Sequence, residues 1–316
     1  MQQLQVAKSS AERKGQQRTE CSVCHYQIDP QNESAFSSFR CGIRALMSES
    51  FRVWRCPHCQ TIHCLDIVDL DAYYAQYPFA DAKLVWPLRI IYKNLLRQLT
   101  QHGFSKEHSF LDYGCGVHGL FVQYLQENGF KQAQGYDPYA PETGLGDRAR
   151  VTQQQFDYIS SQDVIEHVED PNAFLCDIDA MSAPGGYILI GTPNAHNIRL
   201  DRPDVADYEY LIHTPYHLHI YTREILEQLG RAQGWRVVGF FDRKYDDTLW
   251  PCLNNRAVNA YLTAFDGSFD VLAEPLNIPA ALRSPRFLFW SLFGYWFSLR
   301  AGMGVMFQKP YSRSRS

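Results

Sequence analysis

Apolar residues change their spacing several times along the chain, and each spacing predicts an element. Leu88, Ile91, Leu95 and Leu99 lie three, four and four apart, on one face of a helix for which Gly103 is the expected stop. From Ser109 the pattern turns to short apolar runs separated by amphipathic stretches. Runs at 109–113, 133–136, 156–160, 187–190, 235–241 and 304–308 are the predicted strands. Between them, Leu120, Phe121, Tyr124 and Leu125 share a helical face that Gly129 ends. Phe174, Ile178 and Met181 share another behind an Asp170–Pro171 start, and Ile225, Leu226 and Leu229 a third behind a Thr222 cap. Strands alternating with helices of this length predict an α/β fold with a parallel, doubly wound sheet.

The chain has 316 residues, 45% hydrophobic and 20% charged, so it can bury a sizeable core, and its length suggests about two domains. Lys and Arg total 30 against 34 Asp and Glu, and the net charge of −4 argues against coating nucleic acid by charge alone. Residues 1–20 lack the apolar core of a signal peptide, which points to the cytoplasm. The longest apolar stretch, 287–299, is too short to span a bilayer, which takes about 20 residues. Flanked by Arg286 and Arg300, it reads as a buried helix or as an interfacial one, so peripheral membrane contact stays open. No feature sets the oligomeric state.

Four regions follow: a polar, disordered tail over 1–18, a cysteine-rich module over 19–70, connecting helices over 71–105, and a larger domain over 106–316. Within the last, 245–300 reads as an insertion serving as lid, interface or membrane-surface element. Six of the nine cysteines fall between Cys21 and Cys64. Cys21-x2-Cys24 and Cys56-x2-Cys59 form two knuckles, and four thiolates suit a tetrahedral zinc ion. Apolar, β-prone flanks around the second knuckle predict a zinc-ribbon-like hairpin, with His25, Cys41, His58, His63 and Cys64 as spare ligands. A closed shell of four thiolates leaves no place for water, so the expected role is structural.

The segment FLDYGCGVHGLF places Gly114, Gly116 and Gly119 between a strand and a helix, where the backbone can approach a ligand closely. Asp137, 18 residues after Gly119, ends the next strand and can accept hydrogen bonds from ribose hydroxyls. A dinucleotide and S-adenosylmethionine both fit this pattern. Asp112 separates them: a carboxylate there repels a pyrophosphate but suits the ammonium of a methionine moiety.

With LDYGCG, GYDPY, FDYISSQDVIEHVEDP, PGGYILIGTPN and TPYHLHIYTREIL, the chain resembles the class I S-adenosylmethionine-dependent methyltransferases over about 109–241. The resemblance implies a Rossmann-like, mostly parallel seven-stranded sheet with a small N-terminal zinc-ribbon-like module. It implies that Asp112, Gly114 and Gly116 line the methionine side, that Asp137 holds the ribose, and that Gln162 and Asp163 lie beside the cofactor. The family has a glycine two residues after Gly116, where this chain has His118, so His118 joins the expected cofactor contacts. The RCPHC motif before a Tyr-rich helix start resembles the N-terminal module of methyltransferases that act on sugars and other small metabolites. In those relatives the module covers the substrate pocket, a place Tyr73, Tyr74 and Tyr77 could take here.

Methyl transfer requires the acceptor about 3 Å from the methyl carbon and in line with the breaking bond. An oxygen or carbon acceptor also needs a base, and histidine suits neutral pH. HTPYHLHIYT supplies His213, Tyr216, His217, His219 and Tyr221 after the fifth strand, where open sheets place substrates. His217 or His219 is the expected base, with Tyr216 orienting the acceptor; His167 borders the cofactor. The expected activity is methylation of a small-molecule or glycan-precursor acceptor at carbon, oxygen or nitrogen. Two alternatives are an RNA or protein methyltransferase docking through Arg40, Arg44, Arg52 and Arg55 of the module, and a non-catalytic cofactor-binding scaffold.

Overall fold

The structure is a computed structural model that describes residues 16–79, 82–140, 143–201 and 211–311. Most of the expected N-terminal tail (1–15) and the polar C-terminal stretch 312–316 lie outside the described residues. Strands are numbered in chain order: β1 Ser37–Arg40, β2 Ser50–Arg55, β3 Ile62–Cys64, β4 Phe110–Tyr113, β5 Ala133–Tyr136, β6 Phe156–Gln162, β7 Ser182–Pro193, β8 His219–Ile220, β9 Arg236–Phe241 and β10 Gly302–Gln308.

Six strands form the main sheet in the order β5-β4-β6-β7-β10-β9. The first four run parallel, and β10 enters antiparallel between β7 and β9. Alternation along each strand builds a core on both faces. Leu111, Ile159, Ile188 and Val305 point to one face, against Phe174, Ile178, Leu226 and Leu229 of the helices Pro171–Met181 and Arg223–Ala232. Their neighbours Phe110, Tyr158, Leu189 and Met306 point to the other, against Leu95 and Leu99 of Trp86–Thr100 and Phe121 and Leu125 of Leu120–Glu127. The predicted caps form: Asp170 accepts from Asn172 and Ala173 backbone N–H groups, and Thr222 from that of Ile225.

Two expectations need correction. The sheet has six strands among the described residues, not seven. After β5, Asp147 caps a short helix, Arg148–Thr152, and the sequence RARVTQQQ lacks the apolar alternation that would hold a further edge strand on the core. The tail boundary also moves, because Arg18 is buried and donates to the Cys64 carbonyl at 2.6 Å.

The module has its own four-stranded sheet, β1-β2-β3-β8, whose last strand comes from far along the chain. Ile62 and His63 of β3 pair antiparallel with Ile220 and His219 of β8. Phe39, Val53 and Ile62 from the module and Ile198, Ile212 and Ile220 from the larger domain make one shared core. The expected insertion is a helical cap, with Asn255–Thr263 and Pro285–Phe293 packed around Tyr261, Val271 and Phe287.

Candidate cofactor and acceptor site

The turn after β4 needs glycine for two separate reasons. Gly114 has φ +81°, and a Cβ there would lie 2.2 Å from Val164. Gly116 has φ +70°, but a Cβ there would meet nothing within 4 Å, so its backbone faces open space. At this opening the Asp137 carboxylate accepts from the Gly116 N–H at 2.8 Å and the Tyr139 N–H at 2.9 Å. These bonds fix the carboxylate and leave lone pairs for hydroxyl donors.

Asp112 is buried at the end of β4 and accepts no hydrogen bond from a described residue. Burial, reinforced by the charge of Asp137, pushes its carboxyl up to about 7. A buried carboxylate without a donor beside an open glycine turn fits a cationic amine. His118 is exposed on the outer side of the loop, facing a groove with Leu84, Arg89 and Gln123. Gln162 folds back over Gly191 and donates to Ser160 Oγ at 3.0 Å. Asp163, at φ +56°, takes a salt bridge from Lys244 Nζ at 2.6 Å.

Sequence reasoning missed Lys244. It is buried, and although burial alone would lower its pKa, Asp163 and Asp246 (3.1 Å) raise it well above the ordinary lysine value. The signal available was the charged run DRKYDD straight after the β9 hydrophobic run.

On the acceptor side the chain gathers histidines and tyrosines beside Asp163. Glu166 and His167 lie on a short turn after β6, and the loop leading into β8 brings His213, Tyr216 and His217 onto them. The His167 and His217 rings are 4.7 Å apart, and His213 and His217 5.2 Å apart. His217 Nδ1 donates to the Leu211 carbonyl at 2.9 Å, which leaves its Nε2 lone pair facing Glu166 Oε1 at 4.0 Å. Burial holds the His217 pKa well below the ordinary value and lowers His167 to about 4 and His213 to about 3. Burial, with Asp163 adding to it, pushes Glu166 up to about 8.

The helix Leu70–Tyr74 and the turn after it close over this cluster. Tyr74 OH meets His167 Nδ1 at 3.0 Å, and Tyr77 OH meets His213 Nε2 at 3.1 Å. Tyr73 turns away to donate to Glu49.

The two alternative candidates for the base are separated. His219 leaves the cluster and meets His63 of the module, Nδ1 to Nδ1, at 2.8 Å. His217 lies before β8, so the two do not share one face of a strand as residues two apart in an extended segment would. Tyr216 stacks on His213, and its hydroxyl donates to the Tyr73 carbonyl at 3.0 Å, which commits the group expected to orient the acceptor.

The four cysteines of the knuckles converge. Cys21 and Cys59 Sγ are 3.4 Å apart, Cys24 and Cys56 Sγ 3.5 Å, and all four lie within 4.8 Å of one another. Four thiolates around a zinc ion at about 2.3 Å stand roughly 3.8 Å apart, so the cluster fits a tetrahedral cation. The spare candidates are engaged elsewhere: Cys41 and Cys64 pack around Tyr216, His25 meets Glu20, and His58 lies against Tyr26.

Residues 88–239 match a family described as a methyltransferase domain. A ubiquinone biosynthesis O-methyltransferase of Parvibaculum lavamentivorans is 36% identical over 102 residues, 27% of this chain and 40% of that protein. The chain thus spans well under half of that relative. Among solved structures, the complex of the Haloferax volcanii Trm112 methyltransferase activator with its methyltransferase is similar at 14% identity and TM-score 0.45, covering 70% of this chain and 91% of the other. Haemonchus contortus phosphoethanolamine N-methyltransferase 2, bound to phosphomonomethylethanolamine and S-adenosylhomocysteine, is similar at 18% identity and TM-score 0.44, covering 79% of this chain and 64% of the other.

Proposed function

We propose that residues 88–239, which match a methyltransferase-domain family, act as a class I S-adenosylmethionine-dependent methyltransferase domain, and that this protein methylates a small-molecule or glycan-precursor acceptor. The observation that carries this reading is the buried cluster of Glu166, His167, His213 and His217, roofed by Tyr74 and Tyr77 and adjoining Asp163. Asp112 would hold the methionine ammonium and Asp137 the ribose hydroxyls, with the open backbone of Gly116 between them. Bound S-adenosylmethionine supplies an electrophilic methyl group. The chain's own part is to exclude water, orient the acceptor and present neutral imidazole lone pairs at His217 and His167.

Three of the module's four candidate arginines favour a small acceptor over a macromolecule. Arg44 is spent on Asp266 and Glu274, Arg52 on Asp66, and Arg55 on the carbonyls of Ala195 and Ile198. A zinc ion in the four-cysteine cluster would hold the module in place as a wall of the pocket. The Parvibaculum relative is an O-methyltransferase, which favours oxygen as the acceptor atom.

A peripheral membrane contact belongs to the same reading. Leu288, Phe289, Leu292, Phe293, Trp296 and Phe297 are between 43% and 64% exposed on the helical cap. The sequence after Glu274 holds no acidic residue but includes Arg283, Arg286, Arg300 and Lys309, so this apolar face sits in a cationic stretch of an acidic chain. Among the described residues no helix is long and apolar enough to cross a membrane.

The test is incubation of purified protein with methyl-labelled S-adenosylmethionine and a metabolite extract, read by mass spectrometry. A small metabolite gaining one labelled methyl is the expected result. Label appearing only in RNA or protein, or no consumption of the donor, would overturn the reading.

A further inference from the structure

We propose that Lys244 sets how strongly the site prefers the positively charged methyl donor to its neutral demethylated product, by holding the Asp163 carboxylate in an ion pair between the glycine turn and the acceptor cluster. This role rests on the proposed methyltransferase activity and belongs to a residue that activity has so far left unused.

Asp163 stands between the two halves of the site. Asp112, proposed to hold the methionine ammonium, pairs in register with Ser160 of β6, and Asp163 follows three residues later, just past the end of that strand. The next residue, Val164, fills the space that a Cβ on Gly114 would take, 2.2 Å away, so this segment packs on the glycine turn itself. Glu166 and His167 of the acceptor cluster come three and four residues after Asp163, and both feel its charge. A methyl group moving from the methionine side to the cluster therefore passes this carboxylate.

The carboxylate is held firmly. Asp163 sits at φ +56°, with its N–H donating to the Gly191 carbonyl at 2.9 Å. Lys244 Nζ donates to Oδ1 at 2.6 Å. The Asp163 side chain is 35% exposed and that of Lys244 13%, so the carboxylate faces the opening and the ammonium lies behind it. Gly302 makes room for the lysine, since a Cβ there would lie 3.0 Å from the Lys244 Cβ. One ammonium serves two carboxylates, because Lys244 also meets Asp246 Oδ2 at 3.1 Å, and Asp246 Oδ1 is buried without a partner among the described residues. The cluster keeps one negative charge in excess with the lysine and two without it.

That balance bears on a reaction in which charge disappears. A sulfonium donor is a cation, its thioether product is neutral, and the positive charge already disperses in the transition state. A bare Asp163 carboxylate would stabilise the donor more than the transition state, deepening binding without speeding transfer. Lys244 offsets that pull while the excess negative charge still favours the cation.

The experiment is calorimetric titration of the full chain at pH 8, above the raised value of about 7 for Asp112, with S-adenosylmethionine and separately with S-adenosylhomocysteine. The readout is the ratio of the two dissociation constants. Lys244→Met is expected to shift the ratio toward the donor at least about fivefold. Asp163→Asn should shift it the other way, and Lys244→Arg should leave it as in wild type. Should Lys244→Met fail to fold, Lys244→Met with Asp246→Asn removes one charge of each sign and should shift the ratio in the same direction as the single variant. Loss of structural support alone would weaken both ligands alike and leave the ratio where it was. An unchanged ratio in folded Lys244→Met, or in the double variant, with both ligands bound would overturn the role of Lys244 and leave the methyltransferase activity standing. Wild type that binds neither ligand would overturn that activity, and the role of Lys244 with it.

Discussion

His63 and His219 meet Nδ1 to Nδ1 at 2.8 Å in the buried seam where β3 of the cysteine module pairs with β8 of the larger domain. Two nitrogens at that distance share one proton, so one ring is the Nδ1–H tautomer and the other accepts. The remaining Nε2 of each ring has no partner. The pair is a specific link between two segments 156 residues apart.

Replacing one ring should therefore cost more than replacing both. His63→Phe is expected to lower stability by about 1–3 kcal/mol, because it strands the His219 nitrogen in the core. His63→Phe with His219→Leu should recover part of that loss. Denaturant unfolding of the two single variants and the double variant measures the coupling; strictly additive losses would show that the bond contributes nothing.

If Asp112 holds the methionine ammonium as proposed, cofactor binding should be pH-dependent. With its carboxyl raised to about 7, a growing share is neutral as pH falls below that value. A methionine ammonium stabilises the ionised form, so binding below pH 7 releases a proton and affinity falls with pH. The expected slope approaches tenfold per pH unit below 7. Calorimetry in buffers of different ionisation enthalpy checks the proton release. Asp112→Asn should bind about 10–100-fold more weakly at pH 8 and lose the pH slope. A slope retained in that variant would assign the titration elsewhere.

The cysteine cluster should hold one zinc per chain and contribute outright to folding. Cys56→Ser is expected to abolish stoichiometric zinc and to cost at least about 3 kcal/mol. In a chain of this size that is a fall of roughly 4–5 °C in Tm. Trp54, buried against Cys21 and Cys56, should report the loss by fluorescence. A variant that melts like wild type would remove the structural role of the ion.

The cap face should bind anionic vesicles. Co-sedimentation with vesicles containing phosphatidylglycerol is expected for wild type, weakening as salt is raised. The triple variant Phe289→Ser, Phe293→Ser and Trp296→Ser should stay in the supernatant while keeping cofactor affinity, since these side chains are exposed and far in sequence from the glycine turn. Equal sedimentation of the two proteins would reject the membrane contact.

The sequence alone determined the elements whose chemistry is local. Strand and helix periodicity marked the sheet, because alternation and 3.6-residue spacing follow directly from which side chains must leave water. Asp112, Gly114 and Gly116 were legible as candidates because a turn between a strand and a helix confines them within a few residues, and Asp137 because it follows the end of the next strand. The two CxxC knuckles were legible for the same reason. Pairings between distant segments were left to the tertiary structure. It decided that β8 completes the module's sheet, that His219 turns to His63 while His217 turns to Glu166, and that Lys244 crosses to Asp163. Spacing in the chain says which face of its own element a side chain occupies, but only packing decides which distant group meets it.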